Sequence, residues 1–299
     1  MRVFDLHCDT LFKFFEDENY SFPENNGHIS ESALVRGEYL AQCFAVYQPT
    51  DVTGDSGFEF FKNQCKTFER LVSKSSVLAF ARSRQDIERN RLDGKVSAVL
   101  TVENADFLQN DLERLETLVQ NGVKILGFTH NGENCLGCPH SADQNLDSLP
   151  LKKFGREVVD ALNGTDITVD VSHLNLGGFR DVARLSKRPF VATHSGCRAL
   201  CDHSRNLYDE QIRCIAESGG AVGCVFYSYF LNGTDRTEVD DIIRHLEHMI
   251  KVGGEESAAL GSDFDGMECQ LFLKTAADMQ VLAEALIKKF GYSVTEKIC

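Results

Sequence analysis

The chain has 299 residues, 42% hydrophobic and 25% charged, enough for one large α/β barrel or two ordinary domains. Its 31 Lys and Arg residues face 45 Asp and Glu, a formal charge of −14, and no basic cluster exceeds Lys152-Lys153 or Lys288-Lys289. That balance excludes the basic stripes a nucleic-acid partner requires, and no apolar run approaches the roughly 18 residues of a membrane-spanning helix.

Taken in chain order, apolar runs rich in β-branched residues predict eight strands. They are RVFDLH (2–7), LAQCFAVY (40–47), VSAVLTVE (96–103), VKILGFTH (123–130), ITVDVSH (167–173), PFVATHS (189–195), GAVGCVFY (220–227) and AALGSDFDG (258–266). Helical patterns separate most of them, for example Phe58 to Ser73, Asp111 to Gln120, Leu151 to Leu162, Asp209 to Ser218 and Val239 to Val252. Several end on glycine-containing stops, such as Asn163-Gly164, Ser218-Gly219 and Gly253-Gly254. No repeat, linker or low-complexity stretch interrupts the alternation. The expected architecture is α/β: a single (β/α)8 TIM-type barrel domain over residues 1–299.

The polar residues fall where such a barrel places chemistry. In DLHCDT, His7 and Asp9 stand two apart, so in an extended segment their side chains aim at one spot. Six of the eight runs end in ionisable groups: His7 with Asp9, Glu103, His130, His173, His194 and Asp263. Barrel active sites lie at these C-terminal strand ends. A single histidine there is more often a satisfied core residue, but four of the chain's nine at strand ends are not a coincidence of packing.

His7, Asp9, Glu103, His173 and His194 make a donor set of three imidazoles and two carboxylates, suited to zinc or a similar divalent ion. Five ligands exceed one open tetrahedral site but suit two ions, with Glu103 as the natural bridge. Two ions roughly 3.5–4 Å apart share a hydroxide, bring the pKa of water from about 15.7 towards 7 and clamp a polarised carbonyl. The implied chemistry is metal-assisted hydrolysis at a binuclear site.

The segments DLHCDT, TVENAD, GFTHNGEN, DVSHLN, ATHSGCRALCDHSRN and LGSDFDG, in order from residue 5 to about 266, resemble the successive signatures of the membrane (renal) dipeptidase family. This is metallopeptidase family M19, amidohydrolase-like metal hydrolases with a (β/α)8 barrel. The resemblance implies that His7 and Asp9 bind one zinc, that His173 and His194 bind a second, and that Glu103 bridges them. It implies that His130 meets the substrate carbonyl or its oxyanion and that Arg205, in HSRN, grips the substrate carboxylate as a bidentate partner that Lys could not replace. Asp263 matches the acid that carries the proton from water to the leaving amine. Tyr227 matches a tyrosine near the substrate's amino end, whereas Asp265 is expected to cap the following turn.

The function so implied is a zinc-dependent dipeptidase acting through a metal-bridging hydroxide and tolerating a D-residue at the second position. The alternatives are another metal-dependent hydrolase of the same scaffold (amidase, deaminase or phosphoesterase) and an inactive metal-binding homologue. The former mostly open with His-x-His rather than His-x-Asp; the latter would lack a ligand, and every expected ligand is present. A homodimer fits the family's habit, and no membrane partner is expected. The family's mammalian members carry an export signal and a lipid-anchor tail that this sequence does not match. The chain ends at TEKIC, where related sequences usually continue, which is compatible with truncation. Eleven cysteines without paired spacing are expected to be reduced, buried thiols in a cytoplasmic protein. Cys135-x-x-Cys138 has His140 nearby but no second pair, and is read as a loop rather than a zinc site. His245 and His248 are expected on a half-buried helix face, and GGFRDVARL carries no phosphate-loop pattern. Substrate side-chain preference is not encoded in the loops 48–57 and 131–150.

Overall fold

Eight parallel strands form the ring predicted from the apolar runs, in a computed structural model that describes residues 1–17 and 19–299. They are β1 (Val3–Cys8), β2 (Tyr39–Tyr47), β3 (Val96–Glu103), β4 (Ile125–Gly127), β5 (Thr168–Asp170), β6 (Ala192–Ser195), β7 (Val222–Cys224) and β8 (Ala258–Leu260). β1 lies between β2 and β8, with Asp5 in register with Leu260. The ring closes between β5 and β6 through a bridge of Asp170 to Val191 rather than a full ladder.

All eight residues of β3 are buried, as expected for a parallel strand covered on both faces. The helix Gly54–Lys74 buries Phe61, Cys65 and Phe68 at a spacing of three to four residues, one face of its 3.6-residue period. Phe68 packs against Phe44 of β2 with the rings tilted and their centroids 6.0 Å apart, so ring and helix layer share one apolar seam. Asp5 is fully buried on β1 and joins to it the segment that follows β8, by accepting the Ser262 backbone N–H at 2.8 Å.

Several strands are shorter than their apolar runs. Residues 128–130, 171–173 and 261–266 leave the ladder at the barrel mouth and carry the polar groups in bends and turns. His173 and Asp263 there adopt left-handed φ values of 64° each. A further short strand, Leu78–Phe80, pairs with β3 outside the ring. It was missed because three residues are too few to show a period. The helices Thr10–Glu16 and Leu176–Leu185 also follow strand ends; Asn175 precedes the second, and its side chain accepts the Gly178 N–H and caps it.

Candidate metal centre

The ends of β1, β3, β5 and β6 bring five side chains together. His7 Nε2 lies 3.3 Å from Asp9 Oδ2, 3.7 Å from Glu103 Oε2 and 3.8 Å from Asp263 Oδ1. The other oxygen of the same carboxylate, Glu103 Oε1, lies 2.9 Å from His173 Nε2 and 3.6 Å from His194 Nε2. Glu103 thus faces two donor groups, one with each oxygen: His7 and Asp9 on one side, His173 and His194 on the other. All five side chains are buried.

Hydrogen bonds fix which nitrogens are free. His173 Nδ1–H donates to Asn131 Oδ1 at 3.1 Å. His194 Nδ1–H donates to Thr193 Oγ1 at 2.9 Å, and that hydroxyl in turn donates to Asp170 Oδ2 at 2.6 Å. Both Nε2 atoms therefore present lone pairs, 3.0 Å from each other and beside the Glu103 carboxylate. Asp9 Oδ1 is also buried and has no hydrogen-bond partner. Lone pairs packed this densely out of water repel one another unless a cation lies among them. The residues present fit divalent cations on that ground. Gly266 allows the approach, since a Cβ there would collide with Asp9 Oδ2 and crowd Asp263 Oδ1.

The charges divide the same way. Burial opposes protonation of His7, but the carboxylates of Asp9, Glu103 and Asp263 outweigh it and lift its pKa to about 10. Burial, with Asp9 adding repulsion, raises Glu103 well above the usual carboxylate range. His173 and His194 are pushed well down by burial, with Arg205 adding to it, and stay neutral.

A cavity of about 470 Å³ opens onto these groups and is walled by Phe12, Tyr47, Tyr227, Phe230 and Met267. His130 reaches it from beyond the end of β4, edge-on to Tyr47 at 4.8 Å. Burial lowers its pKa to about 4, and its Nδ1 is buried without a partner. Asp263 also lines the cavity, its carboxyl raised by burial to about 7 against the pull of His7. Arg205 does not line it. Its Nη1 donates to Ser195 Oγ at 3.0 Å and its Nη2 to the His194 carbonyl at 2.9 Å, while the buried Nε has no partner. Burial lowers the guanidinium to about 10, so it remains charged, supported by Glu103 and Asp263.

The structure corrects three local expectations. Asp265 is no simple turn cap: it is buried and accepts from Thr10 Oγ1 and from the His28 backbone N–H, each at 2.7 Å. His245 is fully buried, taking the Cys197 N–H at Nδ1 and donating from Nε2 to the Leu231 carbonyl, both at 2.9 Å. His248 is partly buried as expected and pairs with Asp209 at 2.7 Å. Of the eleven free cysteines, Cys135, Cys201, Cys214, Cys269 and Cys299 are only partly buried. Cys135 points its thiol at the Asp106 carbonyl at 3.6 Å, and neither it nor Cys138 joins a metal-ligating cluster among the described residues. Asn131, Thr193 and Asp170, which orient the imidazoles, escaped sequence reasoning; the signal was a lone acid inside the apolar run ITVDVSH.

The sequence profile of the membrane dipeptidases, peptidase family M19, matches residues 1–298. The chain belongs to this family. It is 35% identical over 224 residues to an uncharacterized Klebsiella pneumoniae protein, encoded 5' of pqqA, covering 72% of this chain and 82% of that one. It is 32% identical over 268 residues to an uncharacterized dipeptidase of Schizosaccharomyces pombe, covering 82% of this chain and 63% of that one. Among solved structures, dipeptidase AC of family M19 superposes with a TM-score of 0.91 at 26% identity, covering 100% of this chain and 95% of its own. A Rhodobacter sphaeroides metallopeptidase carrying a phosphinate mimic of the dipeptide L-Ala-D-Ala superposes at 0.92 and 25% identity, covering 100% and 96%. This M19 chain is accordingly a metal-dependent dipeptidase on a (β/α)8 barrel. Among the described residues, no helix is long and apolar enough to cross a membrane.

Proposed function

We propose that this M19 dipeptidase is a two-zinc enzyme that hydrolyses free dipeptides, with residues 1–299 forming one catalytic domain. The observation that carries the reading is Glu103, whose two oxygens face two separate donor groups. His7 and Asp9 would hold one ion, His173 and His194 the other, and Glu103 would bridge them. When bound there, the ions supply a shared, activated water and polarise the substrate carbonyl.

The chain's own residues do the rest. Asp263, with a pKa near neutrality, takes the proton released by the water and passes it to the leaving amine. His130, neutral and on the cavity lining, donates a ring N–H to the carbonyl oxygen as negative charge develops on it. Arg205 remains cationic, 5.7 Å over the ring of Phe230 of the cavity wall, and its N–H groups not spent on Ser195 and His194 would pair with the substrate's terminal carboxylate. Tyr227, on the cavity wall, stands at the amino end of the substrate.

A fixed cation and a fixed scissile position measure a short distance, so the terminal carboxylate must lie one residue beyond the cleaved bond. Neither contact senses the handedness of the second side chain, hence the proposed tolerance of a D-residue. The dipeptide mimic bound to the Rhodobacter relative supports the same size of substrate. A panel of L-Ala-L-Ala, L-Ala-D-Ala, their C-terminal amides and tetra-alanine tests this. Cleavage of both free dipeptides and little of the rest is expected. Brisk hydrolysis of an amidated dipeptide, or internal cleavage of tetra-alanine, contradicts it.

A further inference from the structure

The turn after β8 carries two non-glycine residues in the left-handed region, Asp263 at φ 64° and Asp265 at 67°. Asp reaches that conformation more readily than most L-residues but still at a cost, so neighbours that restrain the turn help to hold it. Some of the restraint comes from the barrel seam and from the turn. The Asp263 N–H donates to the His7 carbonyl at 3.2 Å, the Asp9 N–H to the Phe264 carbonyl at 2.9 Å, and the Gly266 N–H to the Asp263 carbonyl at 3.2 Å. Asp265 is held from elsewhere. Its backbone N–H donates to His28 Nδ1 at 2.8 Å, and its Oδ1 accepts the His28 N–H at 2.7 Å. Its Oδ2 accepts the Thr10 hydroxyl at 2.7 Å.

His28 is itself anchored, its carbonyl accepting the Ala276 N–H at 2.9 Å, and its ring lies against Phe264 with centroids 5.2 Å apart. The segment leading to it is equally close, since a Cβ on Gly27 would press on both Tyr20 Oη and Asp265 Oδ1. A histidine 237 residues away in sequence thus grips the turn at Asp265 through a reciprocal pair of hydrogen bonds, two residues from Asp263.

We propose that His28 is a positioning residue for Asp263: its Nδ1 accepts the Asp265 N–H, locks the left-handed turn, and so keeps the Asp263 carboxylate at the cavity. This rests on Asp263 carrying the proton, as proposed above. The geometry makes a specific demand. The acceptor is Nδ1, whose place an Asn side-chain oxygen can take, whereas Gln reaches the place of Nε2.

The test compares His28→Ala, His28→Asn and His28→Gln in the metal-replete enzyme on a free dipeptide, with metal content measured, and follows amide hydrogen exchange of residues 263–266. The expected result is a kcat lower by about ten- to a hundred-fold in His28→Ala and His28→Gln, with KM and metal content close to wild type. His28→Asn is expected to restore most of kcat and the protection of the Asp265 amide. Wild-type kcat in His28→Ala, equal activity of the Asn and Gln variants, or activity lost only in step with metal overturns the proposal. If His28→Ala does not fold, the Asn-to-Gln comparison decides alone. An Asp263→Asn control separates the two claims. An inactive control beside fully active His28 variants overturns the clamp alone, whereas a fully active control overturns the proton-carrying role and the functional role of His28 with it.

Discussion

The two oxygens of Glu103 and the ring of His7 define the protonation chemistry of the centre. His7 is lifted to about 10 by its carboxylate neighbours despite burial, and Glu103 is raised by burial, whereas His173 and His194 are already neutral. At pH 7 to 8, with no cation bound, His7 therefore carries a proton that a metal must displace from Nε2. Metal uptake is expected to release protons on the His7 side, and apparent affinity is expected to rise with pH up to about 10. Calorimetric titration in two buffers of different ionisation enthalpy reads this; identical heats would contradict it. Arg205 makes a second expectation at this scale. Arg205→Ala removes a charge-assisted pair worth about 1.5–3 kcal/mol, or roughly ten- to two-hundred-fold in kcat/KM, expressed mainly in KM with metal content intact. Unchanged kinetics on a free-carboxylate dipeptide would show that Arg205 serves only Ser195 and the His194 carbonyl.

Strand ends decide what could be read from the amino-acid order. Long, fully buried runs such as VSAVLTVE announce themselves, because a parallel strand covered on both faces must be apolar throughout. The residues beyond each ladder are harder: TH of residues 129–130 and DFDG of 263–266 continue their runs in sequence but leave the sheet in bends and left-handed turns. Glycines inside the runs stand at close backbone approaches that only the fold reveals. A Cβ at Gly261, just past β8, would collide with the Thr193 carbonyl of β6, and Gly223 of β7 faces the same oxygen. Gly261→Ala is expected to cost about 1–3 kcal/mol or more, a drop of several degrees in Tm. An unchanged Tm would mean that β6 yields without strain.

At the scale of the whole molecule, the barrel gathers at its mouth residues scattered from position 7 to 263. The donors at strand ends were legible because periodicity puts them there. Asn131, the Asp170–Thr193 pair and the His28 clamp were not, since they act across loops or between neighbouring strands through hydrogen bonds with no local spacing. The acidic surface and a cavity lined by carboxylates as well as aromatic side chains agree with a small-molecule substrate rather than a polyanion. What unites these features is the proposed centre, in which one carboxylate would serve two ions. Elemental analysis of metal-replete wild-type protein beside Glu103→Ala tests that most directly: two divalent ions per chain in the wild type and loss of both in the variant are expected, whereas one ion or none in the wild type, or two retained without Glu103, would contradict it.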